Sequence, residues 1–133
     1  MAGVVVDTHA VLWYLTEDPR LSAKAGELLD ATAAAGDRIM VPTMCLAEAI
    51  YLSEKGRIPP ADLRKLIFAV SEPSPSFQVT PFDLAVAIAR AQVPRELVPD
   101  LPDRVIAATA VRLKLPLVTR DRRIQTAEIE TIW

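Results

Sequence analysis

The sequence predicts a single α/β domain, spanning residues 1–133, in which a parallel sheet carries helices on both faces. Three observations lead there. Short β-branched or apolar runs alternate with helical segments along the whole chain, the pattern of strands joined by helical crossovers. The first run, Val4-Val5-Val6, is continuously apolar rather than alternating, as expected of a strand buried on both faces. The composition, 51% hydrophobic and 24% charged over 133 residues, suits one core of ordinary domain size and neither a disordered tail nor a linker. No internal repeat or low-complexity segment divides it.

Taken in order, Gly3–Val6 is the first strand, and a helix follows over about 8–16 until Asp18-Pro19 breaks it. Ser22 is placed to cap a second helix through Ala25, Leu28 and Leu29 towards Gly36. A second strand is expected at 39–41, and Pro42-Thr43 opens a helix through Leu46, Ile50 and Leu52 that ends near Gly56. Pro59-Pro60 starts another, where Leu63, Leu66, Ile67 and Val70 have the i, i+3, i+4, i+7 spacing of one helix face. A loop at 73–76 leads to a third strand at Phe77–Thr80. Next comes a helix from Pro81 with Leu84, Ala85, Ile88 and Ala89 on one side. The segment 93–102, with three prolines, reads as a loop. A helix over 103–114, a strand at Leu117–Val118 and a last strand at 129–132 complete the chain.

The formal charge of −2 argues against a protein that coats duplex nucleic acid with a broad basic face. Positive charge is local: between Arg104 and Arg123 stand six basic residues and one acid, Asp121. Cys45 is the only cysteine and sits between Met44 and Leu46, as a buried thiol in a reducing compartment would. No stretch reaches the roughly 18 apolar residues of a membrane span. No basic region precedes Val4, which argues against a signal peptide. A cytoplasmic location is expected.

Four carboxylates stand out. Asp7 is the only charged side chain before Thr16 and follows the first strand, where parallel sheets gather ligands. Glu48 is the only charge between Ile39 and Ser53, on a helix otherwise too apolar to be a solvated face. An unpaired buried carboxylate costs on the order of several kcal/mol, so Glu48 needs an arginine, hydrogen-bond donors or a metal ion nearby. Asp103 begins a predicted helix and is equally accounted for as its N-cap. Asp121 directly follows the strand at 117–119, where a turn acid paired with arginine would also fit. Singly, each has an ordinary structural explanation. Together they can converge on one edge of a parallel sheet, where mutual repulsion calls for a hard divalent cation such as Mg²⁺ or Mn²⁺.

Other chemistries are poorly supported. One histidine and one cysteine do not make a zinc site, and His9 is more simply a surface or packing residue than a ligand. There is no nucleophile elbow, and four glycines at 3, 26, 36 and 56 form no phosphate loop. A phosphoacceptor receiver domain would want an acidic pair near the first strand and a late lysine, whereas Asp7 stands alone and arginines surround Asp121.

Four stretches, 4–13, Leu46-Ala47-Glu48, 103–110 and 117–121, resemble the PIN-domain toxins of VapC type, in the same order and over nearly the whole chain. The resemblance implies a three-layer α/β/α sandwich around a mainly parallel sheet. It implies an endoribonuclease acting with Mg²⁺ or Mn²⁺, the toxin of a type II toxin-antitoxin module, neutralised by a cognate antitoxin and forming a homodimer. Asp7, Glu48, Asp103 and Asp121 fall on the family's acidic positions, and Thr119 on a polar position near the site. Arg104, Arg120 and Arg122 become candidates for holding the RNA backbone, although solvated surface arginines would look the same. The alternative is a catalytically silent PIN-like interaction module.

Overall fold

A computed structural model of the chain describes residues 3–72, 74–125, 127 and 129–133. Met1 and Ala2, on which the expectation about a leader partly rests, and Pro73, at the start of the expected loop, lie outside the described residues. The elements are β1 (Gly3–Val6), α1 (Thr8–Leu15), α2 (Ala23–Ala34), β2 (Arg38–Pro42), α3 (Thr43–Glu54) and α4 (Pro60–Ser71), then β3 (Phe77–Thr80), α5 (Leu84–Ala89), α6 (Leu101–Leu113), β4 (Leu117–Val118), α7 (Arg122–Gln125) and β5 (Thr131–Ile132).

All strand pairs are parallel, in the order β3-β2-β1-β4-β5. The apolar run of β1 takes the central place, with Val4, Val5 and Val6 at most 3% exposed. Connections from β1 to β2 to β3 step one way across the sheet. The connection carrying α5 and α6 then returns past β1 to begin β4 on its other side. Right-handed crossovers travelling in opposite directions put their helices on opposite faces, which gives the three-layer α/β/α sandwich with a parallel centre. Between β1 and β4 the winding reverses, and the carboxyl ends of those strands open onto a crevice.

Local chemistry sets most boundaries. The Ser22 hydroxyl accepts from the Ala25 N–H at 3.0 Å to start α2. Gly36, at φ +79°, takes the left-handed conformation that ends it. In α6, Val105 to Ala110 are all buried, so this helix serves the core around almost its full circumference.

Several boundaries and faces differ from the sequence expectation. α6 starts at Leu101 rather than Asp103, because Asp100 is its N-cap and Pro102 fits the first turn. α5 starts at Leu84 rather than Pro81, because the Asp83 carboxylate accepts from the Val86 N–H at 3.0 Å. Its buried residues are Val86 and Ala89, while Leu84 and Ile88 are 75% and 64% exposed. The basic stretch after Asp121 contains the short helix α7, and the last strand is confined to Thr131–Ile132.

Candidate functional site

The crevice at the β1/β4 reversal is built from residues that each have a local reason to be there. Asp7 joins β1 directly to α1. Its N–H donates to the Val118 carbonyl at 3.2 Å, and its Oδ1 accepts the Ala10 N–H at 2.8 Å, capping α1. The buried Thr8 hydroxyl donates to Glu48 Oε1. Glu48 is carried there by α3, whose buried Cys45 donates through Sγ to the Val6 carbonyl at 3.6 Å and so seats the helix against the end of β1. Burial pushes the Cys45 thiol far up, which keeps it protonated and inert.

From the other side of the crevice, Thr119 follows β4 and is fully buried. Its hydroxyl accepts the Asp121 N–H at 3.0 Å and lowers the pKa of the neighbouring Asp7 carboxylate. One hydroxyl thus stands between the acids that follow β1 and β4. The first turn of α6 adds Asp103 and its cap Asp100, whose carboxylate reaches the Asp103 N–H at 3.4 Å. The resulting cleft, about 430 Å³, is lined by Asp7, Glu48, Asp100, Asp103 and Asp121, with His9, Trp13, Arg120, Arg123 and Trp133 around them.

Five carboxylates in one cleft perturb one another. For Asp7, burial is the largest influence and raises its pKa; Thr119, the Ala10 N–H and His9 pull it down, Glu48 pushes it up, and the net is upward. Asp103 is pushed up to about 7, first by burial and then by the charges of Asp100, Glu48 and Asp121, with Arg123 opposing. Asp121 goes the other way. Partial burial raises it, but hydrogen bonds from Arg123 through side chain and backbone, the charge of Arg123 and the Ile124 N–H outweigh that. The cleft therefore holds more negative charge than its own cations neutralise, and a bound divalent ion would relieve it.

Among the described residues, Glu48, Asp100 and Asp103 form a group whose ligand oxygens lie within 4.8 Å of one another. Asp7 and Asp121 line the same cleft without belonging to that group. An all-oxygen donor set with room for retained water fits Mg²⁺ or Mn²⁺.

The arginines separate into distinct positions. Arg104 donates through Nη2 to the carbonyls of Arg90 and Val93, at 2.8 and 3.1 Å, and braces the segment before α6. Arg122 is exposed on α7 and does not line the cleft. Arg120 lines it, with its guanidinium 4.6 Å from the centre of the Trp13 ring. Arg123 bridges Asp121 and Asp103, at 3.1 and 3.3 Å.

The sequence expectation omits Asp100, Arg123, Thr8 and the two tryptophans. Asp100 had a readable signal, since Asp-Leu-Pro-Asp ahead of an apolar run is a cap followed by a first-turn proline. Nothing distinguishes Arg123 from Arg122 in the sequence.

Comparison with known proteins agrees with this fold. The family model described as the PIN domain matches residues 4–129. Ribonuclease VapC22 of Mycobacterium tuberculosis is 30% identical over 127 residues, covering 95% of this chain and 92% of that protein. Among solved structures, VapBC2 of Rickettsia felis bound to a promoter DNA fragment superposes with a TM-score of 0.73 at 17% identity, over 98% of this chain and 97% of that one. DNA-bound VapBC of Salmonella typhimurium gives 0.72 at 22% identity, over 99% and 98%.

Proposed function

Since this chain belongs to the PIN-domain family and is related to the VapC toxins of type II toxin-antitoxin systems, we propose that it is a Mg²⁺- or Mn²⁺-dependent endoribonuclease and the toxin of such a module. The observation that carries this reading is the convergence of Asp7, Glu48, Asp100, Asp103 and Asp121 in one cleft, two of them with raised pKa. The relative named a ribonuclease supports the choice of RNA.

Glu48, Asp100 and Asp103 are the residues that would hold the ion, with Asp7 and Asp121 beside them. The ion, when bound, supplies a water activated for attack on phosphorus and positive charge at the phosphate oxygens. The protein's part is placement. Thr8 orients Glu48, and Thr119 receives the backbone N–H of Asp121 beside Asp7. Arg120 faces the cleft to meet a backbone phosphate, and exposed Arg122 extends the same basic edge. Arg104 acts on RNA only indirectly, by bracing the segment that ends in Asp100.

The test is cleavage of RNA with added Mg²⁺ or Mn²⁺. Cleavage abolished by a chelator is expected, and undiminished, protein-intrinsic cleavage in excess chelator would overturn the mechanism. Mapping RNA ends after brief expression, against Asp7→Asn, identifies the RNA that is cut.

Partners are part of the same proposal. Ile50 and Tyr51 on α3 and Ile67 and Phe68 on α4 are 42–68% exposed, an apolar surface suited to an amphipathic antitoxin segment. Leu84 and Ile88 on α5, one helical turn apart and exposed, suit a second copy of the chain. Co-expression with the neighbouring open reading frame should give a complex of toxin dimers and antitoxin with suppressed nuclease activity. A monomer indifferent to that neighbour would overturn the toxin assignment.

A further inference from the structure

We propose that Trp133 forms a nucleobase-stacking site on the wall of the acidic cleft, seating one unstacked base of a single-stranded RNA beside the phosphate to be cut. This rests on the ribonuclease reading of the same cleft. Trp133 follows β5, and the Thr119 N–H bond to the Ile132 carbonyl, 3.1 Å, sets it next to the turn that carries Thr119 and Asp121. The indole is half-buried and lines the cleft together with the carboxylates.

Trp13 explains what holds it there. The two rings meet edge to face, with centroids 6.0 Å apart and planes at 63°. Trp13 itself is only 5% exposed. The guanidiniums of Arg20 and Arg120 lie over its ring at 4.8 and 4.6 Å, and His9 packs at 5.4 Å. Trp13 is thus spent on its neighbours, and Trp133 presents aromatic surface to the cleft. Arg20 is engaged by Asp18 at 2.8 Å. Arg120 makes no ion pair among the described residues, so its charge is available to a phosphate.

This pairing of features answers a physical difficulty. A cleft crowded with carboxylates repels a polyanion, so its grip on RNA cannot come from charge alone. Stacking a base on an aromatic face is neutral, tolerates any base, and changes affinity by roughly five- to a hundred-fold. Only an unpaired strand can turn a base out to meet it.

The experiment uses the full chain loaded with Ca²⁺, which accepts oxygen ligands in the looser geometry expected to hold RNA without cutting it. The probes are hexaadenylate and the same ribose-phosphate chain lacking bases. Hexaadenylate should quench tryptophan emission and bind roughly ten-fold more tightly than the base-free chain. Trp133→Phe should keep the affinity within about two-fold while losing most of the quench, because buried Trp13 remains the only emitter. Trp133→Leu should weaken hexaadenylate binding roughly ten-fold. If Leu lowers the melting temperature, the comparison of the two probes on the unmodified protein decides. Equal binding of both probes, an undiminished quench in Trp133→Phe, or parental affinity in a folded Trp133→Leu protein overturns the proposal. Failure of the unmodified protein to bind either probe overturns both stacking and the nuclease reading. Base-dependent binding without cleavage in Mg²⁺ or Mn²⁺ leaves stacking standing and overturns hydrolysis.

Discussion

Two strands of this sheet run straight into helices, and their carboxyl ends have opposite characters. At the β1–α1 junction the linking residue is Asp7, held by the Ala10 N–H and raised in pKa by burial. At the β2–α3 junction the link is Pro42, which makes no side-chain cap, and the Thr43 hydroxyl donates across to the Thr80 carbonyl at 2.7 Å. The construction is the same; the neighbours differ. β2 and β3 are wound in sequence, so their ends close over one another, whereas β1 and β4 belong to crossovers that leave in opposite directions. Space for chemistry comes from topology, and the carboxylates occupy the space it leaves.

The largest expected effect separates the two junctions. Asp7→Asn should lower RNA cleavage by more than about a hundred-fold, because even partners of metal ligands are worth roughly ten- to a hundred-fold. The metal-free protein should melt no lower than the parent, since one repelling charge is gone. Cleavage at the parental rate would remove Asp7 from the site. Next in size, Thr8→Val should weaken Mn²⁺ affinity in calorimetry by roughly ten-fold through the loss of the bond that orients Glu48. Unchanged affinity would make that bond irrelevant to the site.

A smaller effect follows from charge crowding. The folded Asp103 titrates near 7 against an ordinary 3.8. Between about pH 4 and 7 the folded state thus holds more protons than the unfolded one, and metal-free stability should fall as pH rises through that window. Asp7, also raised, acts in the same direction; lowered Asp121 contributes an opposite slope only at more acidic pH. Mg²⁺ should therefore raise the melting temperature more at about pH 8 than at about pH 5.5, and Asp103→Asn should flatten the difference. Equal shifts at both pH values would contradict a crowded cleft. The smallest effect belongs to the closed junction: Thr43→Val should cost about 1 kcal/mol of stability in denaturant melts and leave cleavage unchanged.

How far the sequence speaks depends on whether a signal is local. Val4-Val5-Val6 declares a doubly buried strand because every residue of it is apolar, and Glu48 declares itself by isolation in an apolar helix. Asp100 was obscured by context: three prolines make 93–102 look like a loop, although Pro102 sits comfortably inside the first turn of α6. The outward face of α5 is not legible, because apolar spacing identifies a face without saying whether anything covers it. Arg123 and the Trp13–Trp133 contact are beyond such reading. The first depends on which of two adjacent arginines points back at Asp103, the second on the pairing of β5 with β4, which carries Trp133 to the ring of Trp13.

That pairing is short. β5 matches β4 through the register Leu117↔Thr131 and Val118↔Ile132, with the Leu117 and Thr119 amides donating to Glu130 and Ile132 at 2.9 and 3.1 Å. An edge ladder of this length opens at a small fraction of the cost of unfolding the sheet. Amide exchange should show the Leu117 and Thr119 protons leaving well before those of Val4 and Val5. The indole that follows β5 would come loose with them, while Asp7 and Glu48 stay fixed on β1 and α3. On the proposed reading, grip on an RNA strand should fade on gentle warming before a bound metal is lost, so the chain would go blind before it goes idle.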